Sequence, residues 1–241
     1  MAQTETVNLS VSDGTSMGAF IARPEGDAKC PGILVFQEAF GVNAHIRDIC
    51  TRLAGEGFVA LAPEFYHRTA PGFEGSYDDF NSIMPHMKAI TPAGVEADIR
   101  TAHKALASEP RLDRGRIVSI GFCMGGRMSF LADALLPLRA SVSFYGGGIA
   151  PNPMGPGLLD RAKDLHAPIL MFWGGLDKHI TPEQHRAVVD ALSAAKKTYV
   201  NVEFSDADHG FHCDARASYN PIAAKQAWGL TLVFLRTYLE A

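Results

Sequence analysis

Three residues of reactive type stand just beyond apolar runs of a 241-residue chain: Cys123, Asp177 and His209. Cys123 lies in Gly121-Phe122-Cys123-Met124-Gly125, directly after the run Arg116-Ile-Val-Ser-Ile120. A G-x-Cys-x-G segment between a strand and a helix fits a sharp turn whose glycines let the chain close and whose central side chain stands clear. A thiol held there also sits at a helix N-terminus, where the positive dipole end favours thiolate, the form that attacks carbonyl carbon. The plainer reading is a small core residue, because free cysteine is often buried packing.

Partners in the later sequence favour the chemical reading. Pro168-Ile-Leu-Met-Phe-Trp-Gly-Gly-Leu-Asp177 is a strand pattern, a glycine turn and an acid. Tyr199-Val-Asn-Val-Glu-Phe204 is another strand pattern, followed by Ser205-Asp-Ala-Asp-His209-Gly-Phe. Nucleophile, acid and histidine in that order, each after a strand, is the arrangement found in α/β-hydrolases. His209 would take the proton of Cys123, and Asp177 would orient the imidazole and stabilise its cation. His212 and His179 are rival bases, and Asp206 and Asp208 are rival acids. A metal shared by His209 and His212 is disfavoured, because Asp206, Asp208 and Cys213 are near in sequence without forming a cluster at ligand spacing. No metal and no cofactor is expected.

The elements that must hold these residues follow from periodicity. Alternating residues predict strands over Val7–Val11 and Met17–Ala22 around the Asp13-Gly14 turn. Continuous apolar runs predict buried strands at Gly32–Phe36 and Phe58–Ala62. Further strands are predicted at Arg116–Ile120, Ala140–Tyr145, Pro168–Trp173 and Tyr199–Phe204. Helices are predicted over Ala44–Glu56, Pro92–Ser108, Gly126–Leu136, Pro182–Ala195 and Pro221–Leu239, with Thr91 and Thr181 as caps. Residues 64–91 and 146–157 are rich in glycine and proline and show no clean period. Strands alternating with helices imply an α/β fold: a mostly parallel twisted sheet, helices on both faces and an antiparallel N-terminal edge. Sites in such sheets form beyond the carboxyl ends of the strands, where Cys123, Asp177 and His209 lie.

Composition narrows the remaining possibilities. Hydrophobic residues make up 47% and charged residues 20%, which is globular, and no linker divides the chain, so one domain over residues 1–241 is expected. A formal net charge of -4 with interspersed signs gives no basic face for nucleic acid or an anionic membrane. MAQTETVNLS lacks the features of a secretory signal, so a cytoplasmic location with free thiols at Cys30, Cys50, Cys123 and Cys213 is expected.

The chain resembles the dienelactone hydrolase (carboxymethylenebutenolidase) family, α/β-hydrolases that use a Cys–His–Asp triad. The residues that carry the likeness are Gln37-Glu-Ala-Phe-Gly-Val-Asn43, Pro63-Glu-Phe-Tyr-His-Arg68, Gly121-Phe-Cys-Met-Gly-Gly-Arg127, Phe144-Tyr-Gly-Gly147, Trp173-Gly-Gly-Leu-Asp177 and Asp208-His-Gly-Phe211. The resemblance implies hydrolysis of a small lactone or ester through a thioester acyl-enzyme. It implies that Glu38 contacts the resting cysteine and helps take its proton, and that the backbone N–H groups of Met124 and Ala39 form the oxyanion hole. Phe40, Tyr66, Tyr145 and Phe211 are expected to line an apolar pocket.

Dienelactone hydrolases proper hold the substrate carboxylate with two arginines. Cys213 occupies one of those positions, and residues 77–88 contain no arginine for the other. Arg216, and after it Arg68, are the substitutes the sequence offers. Three other readings stay open: a general carboxylesterase or thioesterase on the same fold, a redox-reactive thiol with Cys213 as partner, and a binding domain without catalysis. The expected partner is a small-molecule lactone or ester, with no nucleic acid or membrane, acting on a monomer or homodimer.

Overall fold

The computed structural model describes residues 2–153 and 155–240. Its eight strands form a mixed sheet, and the chain divides into two compact units, Met1–Val118 and Ser119–Ala241.

In the first unit, β1 (Gln3–Ser10) and β2 (Ser16–Arg23) form an antiparallel hairpin. β2 also pairs antiparallel with β4 (Val59–Pro63), which pairs parallel with β3 (Cys30–Phe36). The hairpin residues alternate, so Met17, Ala19 and Ile21 turn inward, whereas Ile33 through Phe36 in β3 are buried without a break. Helix α1 (Ala44–Gly55) begins where Asn43 Oδ1 accepts the Ile46 N–H, and it buries Ile46, Ile49 and Leu53 against β2, β3 and β4. Helix α3 (Pro92–Ala107) starts at the Thr91 cap, as the Thr-Pro pair predicts.

Between them lies a helix the periodicity does not reveal, α2 (Phe80–Ala89). It buries only Ile83 and carries Pro85 inside, so no apolar stripe marks it; the Asp79 carboxylate starts it by accepting the Ser82 N–H.

Strand β5 (Leu112–Phe122) carries the chain from the first unit into the second. It is longer than its apolar run because its Asp113-Arg114-Gly115 stretch is extended but largely exposed. In the second unit β5, β6 (Ser141–Phe144), β7 (Ile169–Gly174) and β8 (Tyr199–Phe204) pair parallel in that order. Helix α4 (Met124–Leu135) follows β5, α5 (Pro182–Ala194) follows β7, and α6 (Pro221–Glu240) closes the chain. Thr181 and Gln184 bond each other's backbone in a capping box, which is why α5 starts where predicted. A short 3-10 helix, Leu159–Asp164, precedes β7 in a stretch for which the periodicity predicts no element. Among the described residues, no helix is long and apolar enough to cross a membrane.

Candidate active site

The three residues that open the sequence analysis all belong to the second unit, on the loops that follow β5, β7 and β8. Cys123 is the residue between β5 and α4, with φ 55° and ψ −117°. A non-glycine residue there is strained, and two backbone bonds hold it: Cys123 N–H to Phe144 O (3.0 Å) and Gly126 N–H to Cys123 O (2.9 Å). Gly121 is required by close approach, since a Cβ there would overlap the Gly125 carbonyl. The Cys123 side chain remains partly accessible, while Cys30, Cys50 and Cys213 are buried.

Asp177 and His209 meet because β7 and β8 end level with each other. Gly175 N–H donates to Phe204 O (2.8 Å) and Leu176 N–H to Ala207 O (2.9 Å), which ties the two loops together. Gly174 permits this approach: a Cβ on it would stand 2.5 Å from Ala207 O. His209 Nδ1 then lies 2.7 Å from Asp177 Oδ2. The other carboxylate oxygen, Oδ1, accepts the N–H groups of His179 (2.7 Å) and Ile180 (3.2 Å). His209 also hydrogen-bonds the Cys123 side chain.

Electrostatics follow from these contacts. Burial alone would pull the His209 pKa down. Charge on Cys123, with the bonds to Asp177 and Cys123, more than offsets that and lifts it to about 10. Burial likewise works against the Asp177 carboxylate, yet the bond and charge of His209 and the two backbone N–H groups hold it below the ordinary carboxylate value. A buried imidazole that keeps its proton, bonded on one side to a carboxylate and on the other to a thiol, can hold a thiolate and return a proton to a leaving group.

Other residues singled out from the sequence fall as follows. Met124 is the first residue of α4, directly after Cys123. Tyr145 and Phe211 are fully buried, with ring centroids 5.3 Å apart, and the Tyr145 ring lies 5.1 Å from His209. The Arg216 guanidinium lies over Gly210, the neighbour of His209. Of the rival bases, His179 is exposed with its ring 5.4 Å from His209, and His212 is buried among Phe122, Phe144 and Trp228. Asp208 accepts the His209 N–H (2.6 Å), and Asp206 bonds Asn220.

In the first unit, Glu38 follows β3 and is fully buried, with Tyr77 Oη 3.5 Å from its Oε2. Tyr77 in turn accepts from Asn43 Nδ2 (2.9 Å) and packs on Phe40, centroid to centroid 4.4 Å. Tyr66 Oη donates to Ala39 O (2.9 Å). Glu38, Ala39, Phe40 and Tyr66 are therefore neighbours, and Tyr77 joins them although its aperiodic segment gave no signal for it. Arg68 is engaged elsewhere, donating to both oxygens of Asp98 (2.7 and 2.8 Å) and to Asp13.

A mixed sheet with a strained elbow after one parallel strand, an acid after the next but one and a histidine after the last defines an α/β-hydrolase fold. Within that class the chain belongs to the dienelactone hydrolase family, whose model matches residues 17–239. It is 37% identical over 236 residues to the "Putative carboxymethylenebutenolidase" of Escherichia coli (strain K12), covering 94% of this chain and 84% of that one. It is 30% identical to a "Probable 2-oxo-3-(5-oxofuran-2-ylidene)propanoate lactonase" of Bradyrhizobium sp, over 98% and 97% of the two chains. A crystal structure of a "Putative Dienelactone Hydrolase" from Klebsiella pneumoniae superposes with a TM-score of 0.89 at 34% identity, covering 98% and 99% of the chains. Family membership makes the protein a hydrolase of the dienelactone hydrolase type.

Proposed function

We propose that the protein hydrolyses small lactones or esters, with Cys123 as nucleophile, His209 as its proton partner and Asp177 as the group that orients the imidazole. The observation that carries this reading is the hydrogen-bonded series Cys123–His209–Asp177 at a strained strand-to-helix turn.

When substrate binds, the Cys123 proton passes to His209 and leaves a thiolate. The thiolate attacks the substrate carbonyl carbon, forming a C–S bond and pushing the carbonyl electrons onto oxygen. The Met124 amide, beside the nucleophile at the start of α4, is suited to bond that oxyanion. Collapse breaks the bond to the leaving oxygen, which takes the His209 proton, and leaves a thioester. Neutral His209 then accepts a proton from water as the hydroxide adds to the thioester carbonyl. Loss of the thiolate frees the acid and restores the resting pair. The family pattern gives Glu38 a share in managing the cysteine proton and makes the Ala39 amide a second oxyanion donor. A thiolate suits substrates with good leaving groups, such as enol lactones and aryl esters. The related Bradyrhizobium protein, named as a lactonase, supports a lactone of this kind.

Mass spectrometry of the protein quenched during turnover of an aryl ester tests the mechanism. An acyl adduct on the peptide containing Cys123, absent in Cys123→Ala, is the expected result. Full turnover by Cys123→Ala, or an adduct at another residue, would overturn it.

A further inference from the structure

The sheet ends at β8, and that edge is open. Ile169 N–H donates to Thr198 O (3.1 Å) and Gly175 N–H to Phe204 O (2.8 Å), and between them β8 keeps register with β7 through all six residues without a bulge. Backbone polar groups alternate sides along a strand. Val200, Val202 and Phe204 therefore face β7, while Tyr199, Asn201 and Glu203 turn their N–H and C=O groups away from the sheet. Among the described residues, no hydrogen bond reaches those six outward groups. Edges of this kind are ordinarily blunted by lysine, proline, a bulge or a covering segment. Tyr-Val-Asn-Val-Glu-Phe contains neither lysine nor proline, and Val200, Asn201 and Glu203 are exposed. Among the described residues, Val200 is the one large apolar side chain that a strand leaves in water, at 43% exposure; β1, the opposite edge, leaves none.

This edge is complementary to itself. A second copy laid antiparallel, with a two-fold axis at Asn201, sets Asn201 against Asn201 of the copy and Tyr199 against Glu203 of the copy, each as a hydrogen-bonded pair. All six outward groups are then satisfied. A one-residue slip destroys the match, because it sets outward groups against groups already bonded to β7. Between these pairs Val200 stands against Val202 of the copy, a close β-branched pair on the face where Phe204 stacks on Phe172. Charge favours the same arrangement. Exposed Lys196 precedes the strand and exposed Asp206 follows it, so an antiparallel copy brings opposite signs together at each end. On the other face the side chains are already tied down: Tyr199 Oη to Ser193 Oγ (2.8 Å), Trp173 Nε1 to Asn201 Oδ1 (2.6 Å) and His185 Nδ1 to Glu203 Oε2 (3.2 Å). The strand is thus ordered before a partner arrives, which lowers the entropy lost on docking.

We propose that β8 is a docking surface for a second copy of this chain, which continues the sheet antiparallel across a two-fold axis at Asn201.

Sedimentation velocity on the full chain over a dilution series tests this. The wild type is expected to pass from one chain of 26.0 kDa to twice that mass as concentration rises. Asn201→Pro removes an outward N–H and places a ring where the copy docks, while the bonds to β7 remain. It should raise the dimer dissociation constant by about tenfold or more. Val200→Lys leaves the backbone and the Trp173 bond untouched, should act in the same direction, and serves if the proline variant does not fold. In hydrogen exchange, the amides of Tyr199, Asn201 and Glu203 should slow as concentration rises, whereas those of Val200, Val202 and Phe204 stay protected throughout. A single-chain particle at every concentration overturns the proposal, also where an added extended peptide protects the outward amides, which would make the edge a peptide site. A dimer whose dissociation constant both variants leave within about twofold of wild type overturns it as well, since that dimer lies on another surface.

Discussion

His209 Nδ1 and Asp177 Oδ2 lie 2.7 Å apart, although the two residues are 32 positions apart in sequence and stand on loops after different strands. Neither loop could hold this bond alone. The backbone bonds from Gly175 and Leu176 to Phe204 and Ala207 register the two loops first, and the side chains meet as a result.

Replacement of Asp177 by asparagine keeps the shape and removes the charge. It also allows the amide to hold the wrong imidazole tautomer. The expected loss in kcat is on the order of 10³-fold or more, with the circular dichroism spectrum unchanged. Because the Asp177 bond and charge help raise the His209 pKa toward 10, that pKa must fall in Asp177→Asn. A nitrogen-15 NMR titration of His209 reads the shift, and an imidazole still protonated near pH 10 would contradict the electrostatic account.

Asp133 should give the protein a second, unrelated pH dependence. It is fully buried, accepts from Ser141 Oγ (2.5 Å), His166 N–H (2.9 Å) and Ala167 N–H (2.8 Å), and burial outweighs those bonds to raise its pKa to about 6. The folded state therefore binds this proton between pH 4 and 6 while the unfolded chain releases it. Its contribution to stability is full below about pH 4 and is lost as pH rises through about 6, a change on the order of 3 kcal/mol. Asp133→Asn mimics the protonated acid, since Oδ1 can still accept the two amides and Nδ2 can donate to Ser141. Urea unfolding of that variant should lack the downward slope between pH 4 and 6; the same slope in both proteins would assign it to another group.

Arg68 is expected to act on stability. Asp98 is almost fully buried, and its partners are the Arg68 guanidinium and His67 Nε2 at 3.1 Å. Arg68→Ala leaves that carboxylate with the histidine alone, at a cost of about 2–4 kcal/mol. For a chain of this length the loss should lower Tm by roughly 5–10 °C. An unchanged Tm with a large rise in KM for charged esters would instead make Arg68 a substrate contact.

Much of this was legible in the sequence because local rules and tertiary needs agree. Tyr199–Phe204 is a strand with the bounds its pattern predicts, and α5 begins at the threonine whose box with Gln184 is visible in Thr-Pro-Glu-Gln. Cys123, Asp177 and His209 could be found since each follows a strand that periodicity reveals. The helix Phe80–Ala89 could not, because a single buried isoleucine leaves no stripe to detect. Tyr145 and Phe211 show a different limit: an aromatic beside a site can face the ligand or the core, and only packing tells which. Both are fully buried here.

The strained turn at Cys123 has an implication for how this chain can change. Cys123 at φ 55° is bonded through its N–H to Phe144, whose successor Tyr145 has φ 38°, so two side-chain-bearing residues in the left-handed region sit on adjoining strand ends. Each conformation is one that glycine adopts freely and other residues adopt at about 1 kcal/mol or more. Drift toward greater stability would thus tend to erase the reactive side chain first, because the residue the backbone prefers at position 123 is the one with nothing to attack with. A relative with glycine there would be the sturdier fold and the inert one.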